Sequence, residues 1–147
     1  MKIVVLAVGK PKDKRILSLS EEYLARIRPG VVSAEFIPER AGAERLEGRE
    51  ILKRLRQRDR LILLAEDGAE YDSEGFAGFL SREMEMTPGR VVLAIGGPWG
   101  VCAPVKNRAD KCLALSRMTF PHEMCFLLLA EQLYRAFSIL RGTGYHH

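Results

Sequence analysis

The sequence predicts an α/β domain with a mainly parallel sheet flanked by helices, and three observations support this. Short apolar runs rich in β-branched residues are nearly continuous, as in strands buried on both faces. Segments with apolar residues at helical spacing lie between these runs. The two kinds of segment alternate along the chain, which is the order found in α/β folds. The predicted strands are Ile3–Val8, Val31–Ile37, Leu61–Ala65, Val91–Ile95 and Lys111–Leu115. A length of 147 residues predicts a single domain over residues 1–147.

Four helices are predicted from their apolar periodicity and their end signals. Pro29 and Gly30 stop the first helix, Ser73 is the predicted N-cap of the second, and Gly142 ends the last. These helices span Leu17–Ile27, Ser73–Met86, Pro104–Arg108 and Pro121–Arg141.

The segment from Glu39 to Arg60 is the most charged part of the chain. A narrow apolar stripe of Ile51, Leu52 and Leu55 predicts a further helix there. Its many arginines are compatible with an RNA-facing surface. A solvated helix face is the favoured interpretation, because acidic residues are interleaved with the basic ones and offset their charge.

Composition sets limits on the class of protein. Hydrophobic residues make up 47% and charged residues 29%, and the formal net charge is +4. This balance permits an anionic partner such as RNA but does not require one. The first apolar run is too short for a signal peptide, and the run Met124–Ala130 is too short to span a bilayer. We therefore expect a cytoplasmic protein with no membrane partner.

The cysteines, Cys102, Cys112 and Cys125, are odd in number and have no paired spacing. They indicate neither a disulfide framework nor a zinc site, and no metal site is expected. Buried thiols in a reducing compartment are the prediction.

A glycine-rich turn, Gly96-Gly97-Pro98-Trp99-Gly100, follows the predicted strand Val91–Ile95. Glycines let backbone N–H groups approach a ligand, and loops at the carboxyl ends of parallel strands are where ligands bind in open α/β sheets. The turn lacks the GxGxxG spacing and follows a late strand, so it is not a dinucleotide fingerprint. The chain also has no Walker phosphate loop and no GxSxG nucleophile elbow.

Several longer stretches together resemble the RlmH family of SPOUT-superfamily methyltransferases. The matching stretches are Val5–Lys10, Ile95–Gly100, Leu115–His122, Leu129–Ala136 and Tyr145-His146. The resemblance therefore covers essentially the whole chain and is most specific in the last third. It implies a SPOUT-type fold with a C-terminal trefoil knot. It also implies a homodimer that uses S-adenosyl-L-methionine and methylates N3 of a pseudouridine in the helix 69 loop of 23S rRNA, on assembled ribosomes and not on DNA.

The resemblance also implies the site residues. The cofactor would be held by Leu64, Gly96, Gly97, Gly100, Leu115, Ser116, Arg117, Met118, Thr119, Phe120 and Pro121. Leu64, Leu115, Met118 and Phe120 could wall the adenine, and backbone groups of the two loops could bond its edge. The candidates for catalysis are His122, Tyr145 and His146, and those for substrate binding are Arg135, Tyr145, His146 and His147.

Individual residues allow more than one interpretation. His122, beside a helix N-terminus, is a proton acceptor or a residue that locks the loop. Glu131 is expected to pair with Arg135 one turn on, within a dimer interface. Tyr145 and His146 are expected to reach the partner subunit's active site, and His147 stands where the family commonly has a basic residue.

Two other functions stay open beside the rRNA methyltransferase. One is a non-catalytic RNA-binding or ribosome-assembly module on the same scaffold. The other is a related knotted methyltransferase that acts on tRNA. The intact glycines and the intact tail favour an enzyme over the first. The lack of an extra RNA-binding domain in these residues and the Tyr-His motif, which matches the rRNA family, argue against the second.

Overall fold

A computed structural model describes residues 2–147 of the chain. Five strands form one sheet in the order β2-β1-β4-β3-β5, and every strand pair named in the sheet is parallel. The prediction of a mainly parallel sheet is thus confirmed. The strands are β1 (Ile3–Val8), β2 (Val32–Ile37), β3 (Arg60–Glu70), β4 (Val91–Ile95) and β5 (Lys111–Ala114).

Five helices connect and follow the strands. Helices α1, α3 and α5 cover one face of the sheet, where α5 packs against both α1 and α3, and α2 and α4 cover the other face. The helices are α1 (Lys14–Arg26), α2 (Glu44–Arg54), α3 (Ser73–Met86), α4 (Ala103–Arg108) and α5 (His122–Arg141).

The alternation of side chains along each strand divides the core into two layers. In β1, Ile3 and Val5 pack with α3 and α5, whereas Val4 and Leu6 pack on the face that α2 and α4 cover. All six residues of β1 are buried. This explains why the inner strands are apolar without interruption, as the sequence indicated.

Two local predictions need correction. Asp72, not Ser73, is the N-cap of α3, because the Asp72 side chain accepts a hydrogen bond from the Gly75 N–H over 2.7 Å. The third strand does not end at Ala65: it continues to Glu70, with an irregularity between Leu64 and Ala69 in its pairing with β5.

The cysteine prediction is also only partly right. Cys102 and Cys125 are half-buried, but Cys112 lies on an edge strand and is exposed. None of the helices within residues 2–147 is long and apolar enough to cross a membrane.

The carboxyl ends of β1, β4 and β3 lie side by side at one edge of the sheet. The glycine-rich turn follows the central strand β4, the irregular part of β3 lies next to it, and the segment after β5 lies beyond. Three loops that are far apart in the sequence therefore converge, as expected for the binding edge of an open parallel sheet.

Candidate active site

A cleft of about 500 Å³ opens at this edge of the sheet. This volume lies within the range of about 300–1,000 Å³ that is common for cofactor pockets. The cleft is formed by the end of β3 and its irregularity, the glycine-rich turn with the start of α4, the loop after β5, and the first turn of α5.

Most residues predicted to hold a cofactor line this cleft, although they come from three separate parts of the chain. Arg117 and Pro121 do not line it. Those that do are Leu64, Gly96, Gly97, Gly100, Leu115, Ser116, Met118, Thr119 and Phe120, and His122 joins them.

The glycines of the turn are required mainly by the protein's own packing. A Cβ on Gly96 would lie 2.7 Å from Val101 Cγ1, and a Cβ on Gly97 would lie 3.2 Å from both Glu47 Oε1 and Val8 Cγ1. Gly100 has a φ of +89°, which L side chains rarely adopt. The N–H of Gly100 donates to the carbonyl of Gly97 over 3.0 Å and closes the turn.

The loop after β5 provides both a polar and an apolar lining. Ser116 Oγ accepts a hydrogen bond from the Met118 N–H over 3.0 Å, which fixes the bend of the loop. Leu115 is half-buried against the core, whereas the Met118 side chain is 73% exposed at the rim. Leu64, Leu115 and Phe120 thus form the more enclosed apolar part of the cleft.

Charged residues that the sequence analysis did not single out also line the cleft. Glu66 and Asp67 lie in the irregular part of β3, and Lys106 lies on α4. Glu66 and Asp67 directly follow the predicted strand Leu61–Ala65, and Lys106 falls in the predicted helix Pro104–Arg108. Glu66 and Asp67 follow the buried part of a strand, and Lys106 comes just after the glycine turn. These positions at the carboxyl ends of strands could have indicated that the three residues belong to the site.

His122 stands at the mouth of the cleft beside an acidic residue. Its Nε2 lies 3.7 Å from Glu39 Oε2, and both side chains are about three-quarters buried, at 23% and 26% exposure. A Cβ on Gly9 would lie 3.1 Å from the same two atoms, so the residue after β1 must be small. Glu39 follows β2, so the end of this strand also contributes to the site.

Cys125, one turn into α5, closes the inner wall. Burial raises the pKa of its thiol, and the negative charge of Glu66 raises it further. The thiol therefore stays protonated near neutral pH, which does not favour a nucleophilic role.

The C-terminal tail docks on the protein's own last helix, away from the cleft. Tyr145 Oη donates to Glu131 Oε1 over 3.2 Å, and the Tyr145 ring packs edge-on against Tyr134 at 4.6 Å between centroids. Arg135 Nη1 donates to His146 Nδ1 over 3.1 Å. His147 is exposed.

The predicted pair between Glu131 and Arg135 is confirmed, with Arg135 Nη2 at 2.6 Å from Glu131 Oε1. Glu131 Oε2 also accepts from Gln132 Nε2 over 2.8 Å. Burial first, and then the neighbouring Tyr23 and Glu131, raise the pKa of Tyr145 to about 12. The expectation that this pair lies within a dimer interface stays a prediction.

A model of the predicted SPOUT methyltransferase family matches residues 1–146. The chain belongs to the SPOUT methyltransferase family. A relative named ribosomal RNA large subunit methyltransferase H from Porphyromonas gingivalis is 42% identical over 156 aligned residues, which cover 100% of this chain and 99% of the relative. Relatives of the same name from Prochlorococcus marinus and Phocaeicola vulgatus are 41% and 36% identical, and the alignments cover 97% and 100% of this chain and 93% and 99% of those relatives.

Membership of the SPOUT methyltransferases implies the use of S-adenosylmethionine, and the cleft fits that molecule in size and chemistry. The apolar part, formed by Leu64, Leu115 and Phe120, suits a flat aromatic base. The rim carries charges of both signs, which suits a ligand with a carboxylate and positive centres. The residues present are thus compatible with this cofactor.

Proposed function

We propose that this protein transfers a methyl group from S-adenosylmethionine to N3 of a pseudouridine in the helix 69 loop of 23S rRNA, on assembled ribosomes. The observation that carries the proposal is the convergence of the glycine turn and the Leu115–Phe120 loop on one cleft, in a SPOUT-family chain. The full-length relatives named ribosomal RNA large subunit methyltransferase H support rRNA as the substrate class. A ribosomal substrate implies a cytoplasmic site of action.

In this proposal the cleft holds the cofactor by its walls and its loop backbones. Leu64, Leu115 and Phe120 would enclose the adenine, while backbone groups of the turn at Gly96 to Gly100 and of Ser116 to Thr119 would bond polar edges. Met118 would cover the outer side. Arg117 and Pro121 would act only by shaping the loop, because their side chains do not line the cleft.

The bound cofactor would supply an activated methyl group on a sulfonium. The chain's own residues would then hold the target ring nitrogen in line behind the methyl carbon. His122 is the proposed proton acceptor at the mouth of the cleft, because Glu39 can stabilise the imidazolium that forms when the ring takes the N3 proton.

The tail is proposed to act across a homodimer. Its contacts on α5 are at Glu131 and Arg135, whereas α5 lines the cleft at His122 and Cys125. With a rise of about 1.5 Å per residue, Glu131 and Arg135 lie about 9 Å and about 15 Å from Cys125 along the helix. A tail docked in this way does not complete its own cleft, which supports completion by a partner copy.

The dimer would use the exposed side of α5 and the hollow beside it. That hollow, of about 430 Å³, lies between the start of α3 and the middle of α5 and shares Leu115 and Phe120 with the cleft. Within residues 2–147, α1 and α3 already cover much of α5, so the apolar residues of this helix give little support for a dimer by themselves. The incomplete site is the stronger support.

The proposal includes the whole chain as one methyltransferase domain, residues 1–147, with a C-terminal trefoil knot. The family match over residues 1–146 supports the single domain. The family resemblance supports the knot.

The direct test is methyl transfer to ribosomes from cells that lack the modification. The purified protein with labelled S-adenosylmethionine should label the helix 69 loop, and nucleoside mass analysis should find N3-methylpseudouridine. His122→Ala should lower the rate at least tenfold, whereas His122→Gln, which keeps a polar group but not the acceptor nitrogen, should not restore it. Cofactor binding without any transfer would contradict the proposal and favour the RNA-binding module. Transfer to tRNA but not to ribosomes would favour the tRNA enzyme.

A further inference from the structure

The two sides of the cleft carry charges of opposite sign. Lys106 belongs to α4. This helix packs on the same face of the sheet as α2, through Val105, the residue before Lys106. Glu66 lies in the irregular part of β3 near the first turn of α5, on the other face of the sheet, where its charge acts on Cys125. Asp67 is its neighbour in the irregular part of β3. Lys106 and Glu66 thus line one cavity from opposite sides of the sheet edge, and Asp67 lines the same cavity.

These three side chains are not engaged by other charged groups. Among residues 2–147, no ion pair within 4.0 Å involves Lys106, Glu66 or Asp67. Charged neighbours at the same edge are paired: Glu70 with Arg117 at 3.9 Å, and Glu39 with His122 at 3.7 Å. The three free groups are therefore available to a ligand.

We infer that the cleft holds the amino-acid end of its cofactor as a zwitterion, with the carboxylate bound by Lys106 and the ammonium bound by Glu66 and Asp67. The inference rests on the proposed use of S-adenosylmethionine. Opposite charges on two walls suit a zwitterion, because the ligand's ammonium and carboxylate, both attached to its α-carbon, can each turn toward the opposite charge. The adenosine end would be held independently, in the apolar part at Leu64, Leu115 and Phe120.

A truncated ligand separates the two ends. S-adenosylhomocysteine carries the zwitterion, whereas 5′-methylthioadenosine keeps the adenosine and the thioether but lacks the amino-acid group. Calorimetric titration of the full chain with both ligands measures the contribution of the charged walls directly, without any methyl transfer. The wild-type protein should bind S-adenosylhomocysteine at least tenfold more tightly.

The variants should abolish most of that preference. Lys106→Met, and the double variant Glu66→Gln with Asp67→Asn, should each weaken S-adenosylhomocysteine about three- to tenfold, because the groups lie at a solvent-accessible rim. Affinity for 5′-methylthioadenosine should stay within about twofold of wild type. The matched controls are Lys53→Met, an exposed lysine on α2, and Glu22→Gln, an exposed glutamate on α1 outside the cleft. Both controls should leave both affinities unchanged.

Each other outcome argues against the inference in a different way. Equal losses for both ligands would mean that the charges act on cavity shape. Unchanged affinity of the cleft variants for S-adenosylhomocysteine would mean that the charged walls do not touch the ligand. Either result overturns the zwitterion site and leaves the proposed function standing. Failure of the wild-type protein to bind S-adenosylmethionine and S-adenosylhomocysteine would overturn the proposed function, and the inference with it. Thermal unfolding of every variant checks that it is folded.

Discussion

Tyr145 Oη donates a hydrogen bond to Glu131 Oε1, the same oxygen that Arg135 holds at 2.6 Å. The Arg135 guanidinium also lies 4.8 Å from the centre of the Tyr145 ring. One carboxylate oxygen on α5 therefore holds both the phenol of the tail and the guanidinium that lies against the ring of that phenol. The tail is attached to this helix by specific contacts and is not merely a loose end of the chain.

The docked tail should be visible in a tyrosine titration. The pKa of Tyr145 is raised to about 12 by burial, with Tyr23 and Glu131 beside it, so its hydroxyl stays neutral well above pH 10. Ultraviolet absorbance of phenolate in wild type and in Tyr145→Phe should differ by one group that titrates near pH 12. If the tyrosine that Tyr145→Phe removes titrates near pH 10 instead, the tail is not docked as described.

The buried pair of Asp59 and Arg90 should make stability depend on pH in the acid range. Burial alone would raise the pKa of Asp59, but hydrogen bonds from the Arg90 side chain and from the N–H groups of Arg56 and Arg90 outweigh it and lower the pKa. A lowered carboxylate pKa gives stability that is complete above the unfolded value of about 3.9 and is lost as the pH falls through the folded value.

Asp59→Asn should therefore lower the free energy of unfolding by about 3 kcal/mol at pH 7, because it leaves the buried Arg90 without its partner. The difference from wild type should shrink as the pH falls below 4. Urea unfolding at neutral and acid pH measures both effects. Glu50→Gln, which removes an exposed pair with Lys53, is the control and should change stability by less than about 1 kcal/mol. A difference that is constant with pH would contradict this account.

Local sequence relationships were predicted well, and contacts between distant segments were not. The pairing of Glu131 with Arg135 follows from a spacing of one helical turn, so the sequence alone indicates it. The approach of Glu39 to His122 depends on where β2 lies relative to α5, and no local pattern encodes that distance. Lys106, Glu66 and Asp67 were missed for the same reason, because opposite walls of a cleft are defined only after the strands are ordered.

The glycine turn is constrained by the residues packed behind it. Its place after β4 was predicted correctly, but glycine at position 97 is explained by the buried Glu47 and Val8 behind the turn. A residue can thus be necessary for a site because of what it packs against on the side away from the ligand.

Gly97→Val should weaken S-adenosylhomocysteine binding at least tenfold by displacing the turn, and it should also lower stability. The added side chain meets Glu47 Oε1 and Val8 Cγ1, and overpacking of this kind typically costs about 1–3 kcal/mol. Gly97→Ala adds a single carbon at 3.2 Å from both atoms and should have a smaller effect on both quantities. Calorimetry and thermal unfolding measure the two effects. Unchanged affinity in a folded Gly97→Val variant would remove the turn from the site.

Deletion of residues 145–147 should leave cofactor binding nearly intact and eliminate methyl transfer. The deletion removes the Tyr145 contacts with Tyr134 and Glu131 but keeps the ion pair of Glu131 with Arg135, so we expect a loss of only about 1 kcal/mol in stability. In the proposed function, Tyr145 would stack on the exposed base and His146 would bond its edge. Stacking of this kind is worth about 1–3 kcal/mol per base. Full activity of the deletion variant on ribosomes would refute a role of the tail.

Heterodimers then decide whether the tail acts on its own cleft or on that of the partner. We expect that a subunit with the deletion, combined with a Gly97→Val subunit, forms a dimer in which one site has an intact cleft and receives an intact tail from the other subunit. Action across the dimer therefore predicts recovery of up to half the wild-type rate per dimer, although each parent homodimer is inactive. Action within one subunit predicts no recovery, because every subunit then lacks either a tail or a working cleft. Two different affinity tags purify the heterodimer, and methyl incorporation into unmodified ribosomes gives the rate. The docking of the tail at Glu131 and Arg135, between about one and a half and three turns from the Cys125 end of the cleft, is the structural reason to expect recovery.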